Sequence, residues 1–113
     1  MKKLFSYLIF FLFFTSNLSA KDNTMIMKLK YGEVEISLFE DIAPNHVKRF
    51  KELANSGKYD NVVFHRVIDG FMAQTGDVKY GNSGDKNFNL SLAGTGGSEL
   101  PNVDAEFSNT PHV

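Results

Sequence analysis

Apolar and polar residues alternate along the chain after residue 24, and this pattern constrains the fold more than any other feature of the sequence. From Met25 to Tyr31 every second side chain is apolar, and after Gly32 the alternation resumes from Glu33 to Phe39. A period of two is typical of half-buried β-strands. The break at Tyr31-Gly32 predicts a tight turn, so the two runs should form an antiparallel hairpin.

The hydrophobic period then changes to about 3.6 residues, which is the period of an α-helix. Pro44 suits the first turn of a helix, because its missing N–H would be unbonded there in any case. Asn55-Ser56-Gly57 is a typical helix end. We therefore predict a helix from about Pro44 to Asn55, with one apolar stripe formed by Val47, Phe50, Leu53 and Ala54.

Two shorter apolar runs follow the helix, from Val62 to Ile68 and from Phe71 to Asp77. Asp69-Gly70 between them is a hairpin signal. Residues 79–98 are rich in Gly and Asn, which predicts a long surface loop, with a short extended piece at Phe88–Leu92 as an open alternative. The pattern as a whole predicts a mainly β fold with one helix.

The first twenty residues have the pattern of a targeting segment. A basic start at Met1-Lys2-Lys3 is followed by the apolar run Leu4–Phe14 and then by small and polar residues up to Ala20. The run of about 11 residues fits a signal peptide and is shorter than the ~20 residues of a membrane span. We predict a signal peptide over residues 1–20 and a periplasmic or secreted protein without stable membrane insertion after cleavage. An uncleaved inner-membrane anchor is the alternative.

Composition excludes several kinds of site and partner. The chain has no Cys, so disulfides, thiolate zinc sites and iron–sulfur clusters are ruled out. Its three His have no metal-ligand spacing, and we expect no metal and no cofactor. A net charge of -1 is unlike the strongly basic domains that bind nucleic acid. The acidic residues at Ser98-Glu99 and Asp104–Glu106 are expected to cap or solvate loop ends.

Arg66 is the most unusual residue of the apolar runs. In strict alternation it shares a face with Val62, Phe64 and Ile68, so a guanidinium would lie in an apolar row. An unpaired buried charge is costly. Arg66 must therefore reach an acceptor or stand at the mouth of a pocket, unless it is an ordinary strand arginine that points to solvent.

The register of the second hairpin decides which residue lies opposite Arg66. A two-residue turn at Asp69-Gly70 would place it opposite Ala73, whereas a bulge at Phe71 would pair it with Gln74. We favour the second register, because the side-chain oxygen of Gln74 can accept a hydrogen bond from the guanidinium.

The stretch from Tyr59 to Gly76 (YDNVVFHRVIDGFMAQTG) resembles the signature of the cyclophilins, the cyclophilin-type peptidyl-prolyl isomerases, in its FHRVI, GF and MxQ elements. Thr75 stands where the family usually has Gly, a substitution that bacterial members commonly show. The resemblance covers about Met25 to Val113 and includes the APxxVxxF helix, the GTGG loop at 94–97 and Glu106-Phe107.

The resemblance implies a cyclophilin-like closed antiparallel β-barrel with capping helices, and isomerisation of X–Pro bonds without a cofactor. Arg66 would be the catalytic arginine, oriented by Gln74, which would also touch the substrate backbone. Phe71 and Met72 would line the pocket for the proline ring, and His65 would flank the site. The implied partners are proline-containing peptides and unfolded exported proteins, with the enzyme acting as a monomer.

About four strands and one helix are too few to close such a barrel. We therefore expect residues 21–113 to be the N-terminal part of a truncated cyclophilin-like domain. Two other functions stay open: a proline-peptide binding module or chaperone without useful catalysis, and an inactive truncated fragment.

Overall fold

The computed structural model describes residues 23–111. The predicted signal peptide over residues 1–20 lies outside this part of the chain. The described elements, in chain order, are β1 (Thr24–Leu29), β2 (Gly32–Ser37), α1 (Pro44–Asn55), β3 (Arg66–Ile68) and β4 (Met72–Gln74). The strands form two separate antiparallel pairs, β1 with β2 and β3 with β4. The prediction of a mainly β fold with a helix is confirmed, but the described residues do not close a barrel.

The β1–β2 hairpin forms as the alternating pattern predicts. Met25 pairs with Ile36 and Leu29 pairs with Gly32, which leaves Lys30 and Tyr31 as the turn. The predicted turn at Tyr31-Gly32 is therefore wrong by one residue. Gly32 has a φ of +148°, a conformation that favours glycine, and it is already the first residue of β2. Tyr31 is 91% exposed at the turn, so it does not lie on the apolar face as expected.

Helix α1 has the predicted bounds and buries part of the predicted stripe. Val47 and Leu53 are buried, whereas Phe50 is 45% exposed. The helix ends in a Schellman motif, in which the N–H of Lys58 donates to the carbonyl of Leu53 and Gly57 takes a φ of +74°. Within residues 23–111, no helix combines the length and the apolar character that crossing a membrane requires.

The segment after α1 forms less strand than predicted. In the predicted run from Val62 to Ile68 only β3 is a strand, and Val62 makes an isolated bridge to Asn82. Residues 79–98 form a loop, as predicted. The open alternative of an extended piece at Phe88–Leu92 is wrong, because residues 90–94 form turns that are held by local hydrogen bonds.

Candidate functional site

The β3–β4 hairpin has the predicted register, in which Arg66 lies opposite Gln74. Arg66 pairs with Gln74 and Ile68 pairs with Met72, so the connection contains three residues, Asp69 to Phe71. The N–H of Phe71 donates to the carbonyl of Ile68 at 3.1 Å, and Gly70 takes a φ of +69° in this turn. Directly paired residues, and those two apart on a strand, share one face of a hairpin. The register therefore brings Arg66 and Gln74 together.

The Arg66 side chain is exposed at the surface of this hairpin. Its guanidinium has no hydrogen bond or ion pair with any residue in the part of the chain that the structure describes. Gln74 is also exposed, and the expected hydrogen bond between the two side chains is not formed. Arg66 therefore faces solvent, and it neither reaches an acceptor nor stands at the mouth of a cavity in the described part of the chain. All of its N–H donors are available to a ligand.

The two residues expected to line a proline pocket lie beside each other at the end of the same hairpin. Phe71 is 76% exposed in the connecting loop, and Met72 is half-buried in β4. They present apolar surface next to the Arg66–Gln74 pair but do not enclose a cavity.

Two open cavities occur elsewhere in the described part of the chain. One of about 350 Å³ is lined by loop residues between Lys79 and Leu92. The other, of about 340 Å³, lies between α1 and residues 97–100. None of the five predicted site residues lines either cavity. Within residues 23–111, no group of three or more His, Asp or Glu side chains could hold a metal ion.

His65 joins the hairpin to the loop that follows it. Its backbone N–H donates to the carbonyl of Gln74 at 3.1 Å, which extends the pairing beyond β3. Its half-buried imidazole lies directly against Gly94, where a Cβ atom would be 2.5 Å from the ring Cδ2. Thr75, which follows Gln74, donates its hydroxyl proton to the carbonyl of Val63 at 2.9 Å. The Thr75 hydroxyl therefore links the two sides of the hairpin.

Asp77, close to the candidate site, is a buried carboxylate whose role the sequence did not predict. It is 4% exposed, and it accepts four backbone hydrogen bonds of 2.8–3.0 Å. Burial alone raises the pKa of Asp77, but the four donors outweigh it and hold the pKa below its ordinary value. The only signal in the sequence is an Asp that directly precedes a glycine-rich segment.

Glu106 has a similar role at the start of α1. The N-cap residue is Ala43, which has no side-chain acceptor. The carboxylate of Glu106 takes its place, accepting the backbone N–H groups of Asn45 and His46 at 2.8 and 3.0 Å and lying 2.7 Å from Nδ1 of His46. Burial raises the pKa of Glu106, but the hydrogen bonds from His46 and Asn45 lower it to about 2. Asp104–Glu106 were expected to cap or solvate loop ends; for Glu106 this is wrong, because its carboxylate caps the start of a helix.

Comparison with known proteins connects this hairpin to a family. Residues 24–112 match the family model described as cyclophilin type peptidyl-prolyl cis-trans isomerase/CLD. A probable peptidyl-prolyl cis-trans isomerase of Brucella suis is 52% identical over 99 residues, which are 88% of this chain and 50% of the relative. A protein of the same name from Brucella abortus has the same identity and coverage.

A more distant relative is peptidyl-prolyl cis-trans isomerase B of Escherichia coli. It is 45% identical over 51 residues, which are 45% of this chain and 31% of the relative. The chain spans about half the length of the Brucella relatives. No solved structure gives a significant match.

Proposed function

The chain belongs to the cyclophilin-type peptidyl-prolyl cis-trans isomerases, and from this premise we propose that it catalyses rotation about the peptide bond that precedes proline. Resonance holds that bond planar behind a barrier of ~18–20 kcal/mol, so the uncatalysed reaction takes tens to hundreds of seconds. An isomerase must bind the twisted amide more tightly than either planar form.

Arg66 is the group proposed to make this distinction. As the bond twists, the resonance is lost and the electron pair returns to the prolyl nitrogen, which becomes a hydrogen-bond acceptor. A guanidinium donor aimed at that nitrogen stabilises only the twisted state. Arginine suits the role because it is always protonated and holds its five N–H donors in a fixed plane. Lowering the barrier by ~7 kcal/mol would accelerate rotation by about 10⁵-fold.

The observation that carries the proposal is the position of the Arg66 guanidinium. It is exposed on a short hairpin directly opposite Gln74, and no acceptor in residues 23–111 occupies it. Arg49 in α1, by contrast, lies 3.7 Å from the carboxylate of Glu52. The donors of Arg66 are instead available to a substrate.

The other residues of the hairpin would bind and orient the peptide. Cross-strand neighbours have Cβ atoms about 4.5–5.5 Å apart, so the Gln74 amide can reach both Arg66 and a substrate backbone. The exposed ring of Phe71 and the half-buried Met72 would pack against the proline ring and exclude water that competes for Arg66. His65 would flank the site.

We also propose that the substrates are proline-containing segments of unfolded exported proteins. The support is the signal-peptide pattern of Met1 to Ala20, which would direct the enzyme to the periplasm or out of the cell. There it would accelerate the slow prolyl steps of folding.

The proposal is tested by measuring cis–trans exchange of a proline-containing peptide by NMR with the full chain. Arg66→Ala should remove at least 99% of the acceleration, and Arg66→Lys should retain only a small part of it, because lysine lacks the planar donor set. Arg49→Lys is the matched control and should behave as the wild type.

Two results would contradict the proposal. Wild-type acceleration in Arg66→Ala would remove Arg66 from the mechanism. A folded wild-type chain that binds the peptide without accelerating exchange would favour the proline-peptide binding module instead.

A further inference from the structure

The glycine-rich loop, defined here as residues 78–97, is held by one buried side chain. Asp77 comes three residues after β4 and is the only polar residue that is buried in the described part of the chain. No lysine, arginine or histidine side chain within residues 23–111 pairs with it. A charge in this position requires compensation, because a buried and unsatisfied carboxylate is strongly unfavourable.

The compensation comes from both ends of the glycine-rich loop. One carboxylate oxygen accepts the N–H groups of Lys79 and Tyr80 at 3.0 and 2.9 Å. The other accepts those of Gly94 and Gly96 at 2.8 and 2.9 Å, across 17 and 19 positions of sequence. Two oxygens with several lone-pair sites can satisfy this set, whereas an amide or a hydroxyl cannot. Asp77 therefore closes the loop on itself.

The closed loop in turn touches the candidate site through Gly94. Gly94 has a φ of +95°, and its Cα lies so close to His65 that a Cβ would meet the ring Cδ2 at 2.5 Å and Nε2 at 2.8 Å. His65 directly precedes Arg66 at the start of β3. A continuous series of contacts therefore runs from the Asp77 carboxylate through Gly94 and the imidazole of His65 to the backbone that carries Arg66.

We infer that Asp77 is a positioning residue: by holding Gly94 against His65, it fixes the start of β3 and with it the backbone from which the Arg66 side chain extends. This inference rests on the proposed function, since it assigns Asp77 a part in the same reaction. Misplacing a reacting group by about 1 Å can cost on the order of 10²-fold in rate. Asp77 does not contact the substrate in this scheme, so its loss should lower kcat more than it changes KM.

The test compares Asp77→Asn with the wild type in the full chain. Asparagine has the shape of aspartate but presents an NH₂ group to two of the four N–H donors. We expect kcat, corrected for the folded fraction, to fall 10–100-fold while KM changes less than threefold. Asp104→Asn removes the same charge from an exposed position and should leave both constants unchanged.

Amide and side-chain NMR spectra separate positioning from general destabilisation. In Asp77→Asn the resonances of Gly94, Gly96, His65 and the Arg66 Nε–H should shift, while those of the β1–β2 hairpin should stay in place. Unchanged His65 and Arg66 resonances, or a kcat within twofold of the wild type, would overturn the inference. If the wild type itself is inactive, the proposed function fails, and the shifts at His65 and Arg66 alone decide whether Asp77 positions them.

Gly94→Ala tests the same series of contacts without altering the carboxylate. The added methyl group must displace the imidazole of His65, so kcat should again fall at least tenfold with KM little changed. If Asp77→Asn does not fold, this variant decides the matter, and wild-type kcat in folded Gly94→Ala would refute the inference.

Discussion

Replacement of Asp77 by Ala should destabilise the chain by several kcal/mol. Two of the four lost hydrogen bonds, those to Lys79 and Tyr80, are local, and their donors can turn to water. The other two, to Gly94 and Gly96, hold the far end of the loop at 2.8 and 2.9 Å. A hydrogen bond to a charged group contributes about 1.5–3 kcal/mol, so these two predict a loss of about 3–6 kcal/mol.

Urea unfolding, followed by circular dichroism, measures this loss directly. The midpoint should fall in Asp77→Ala with little change in slope, and Asp104→Ala, at an exposed position, should match the wild type within ~0.5 kcal/mol. A destabilisation below ~1 kcal/mol in Asp77→Ala would show that water compensates the four hydrogen bonds and that Asp77 does not stabilise the loop.

The same carboxylate predicts a pH dependence. Because the pKa of Asp77 is lower in the folded chain than its ordinary value of 3.8, ionised Asp77 stabilises the fold above that pH. The contribution is lost as the pH falls through the folded-state pKa. The difference in free energy of unfolding between wild type and Asp77→Ala should therefore shrink in acid, and a difference that is constant with pH would contradict the role of the charge.

Three further predictions concern the helix and the hairpin. The pKa of Glu106 is lowered from 4.5 to about 2, so its stabilisation of α1 should be complete above pH 4.5 and lost towards pH 2. In thermal unfolding, the melting temperature of Glu106→Gln should lack the part of the decrease between pH 4.5 and pH 2 that Glu106 causes in the wild type. Leu53→Ala should cost about 2–5 kcal/mol in urea unfolding, because Leu53 is buried, and Phe50→Ala, at a 45% exposed position, should cost clearly less. Phe71→Ala should change stability by less than ~1 kcal/mol, because the ring is 76% exposed, yet raise KM for a proline peptide severalfold; an unchanged KM would remove Phe71 from the binding surface.

Local features of the sequence predicted the local elements well. The bounds of α1 follow from Pro44 at its start, the apolar stripe along it and Gly57 just past its end, because such signals depend on neighbouring residues alone. The register that pairs Arg66 with Gln74 was also predicted, although the side-chain hydrogen bond that favoured it is not formed. The turn after β1 was misplaced, because Gly32 takes its positive φ inside the strand pair rather than in the turn.

Long-range partners could not be predicted from periodicity. The Asp77 carboxylate meets Gly94 and Gly96 across a loop, and Glu106 caps α1 from 60 positions away. Both acceptors satisfy backbone N–H groups, which carry no side-chain signature in the sequence. The exposure of Arg66 could not be predicted from alternation either. Alternation placed Arg66 on an apolar face, but β3 has only three residues, all of them exposed, and forms no such face.

The proposed function is acceleration of X–Pro bond rotation by the β3–β4 hairpin. Exchange NMR on a proline-containing peptide, with the full chain at a small fraction of the peptide concentration, measures it most directly. We expect exchange many times faster than the uncatalysed tens to hundreds of seconds, with the acceleration lost in Arg66→Ala. An exchange rate that the folded wild-type chain leaves unchanged would contradict it.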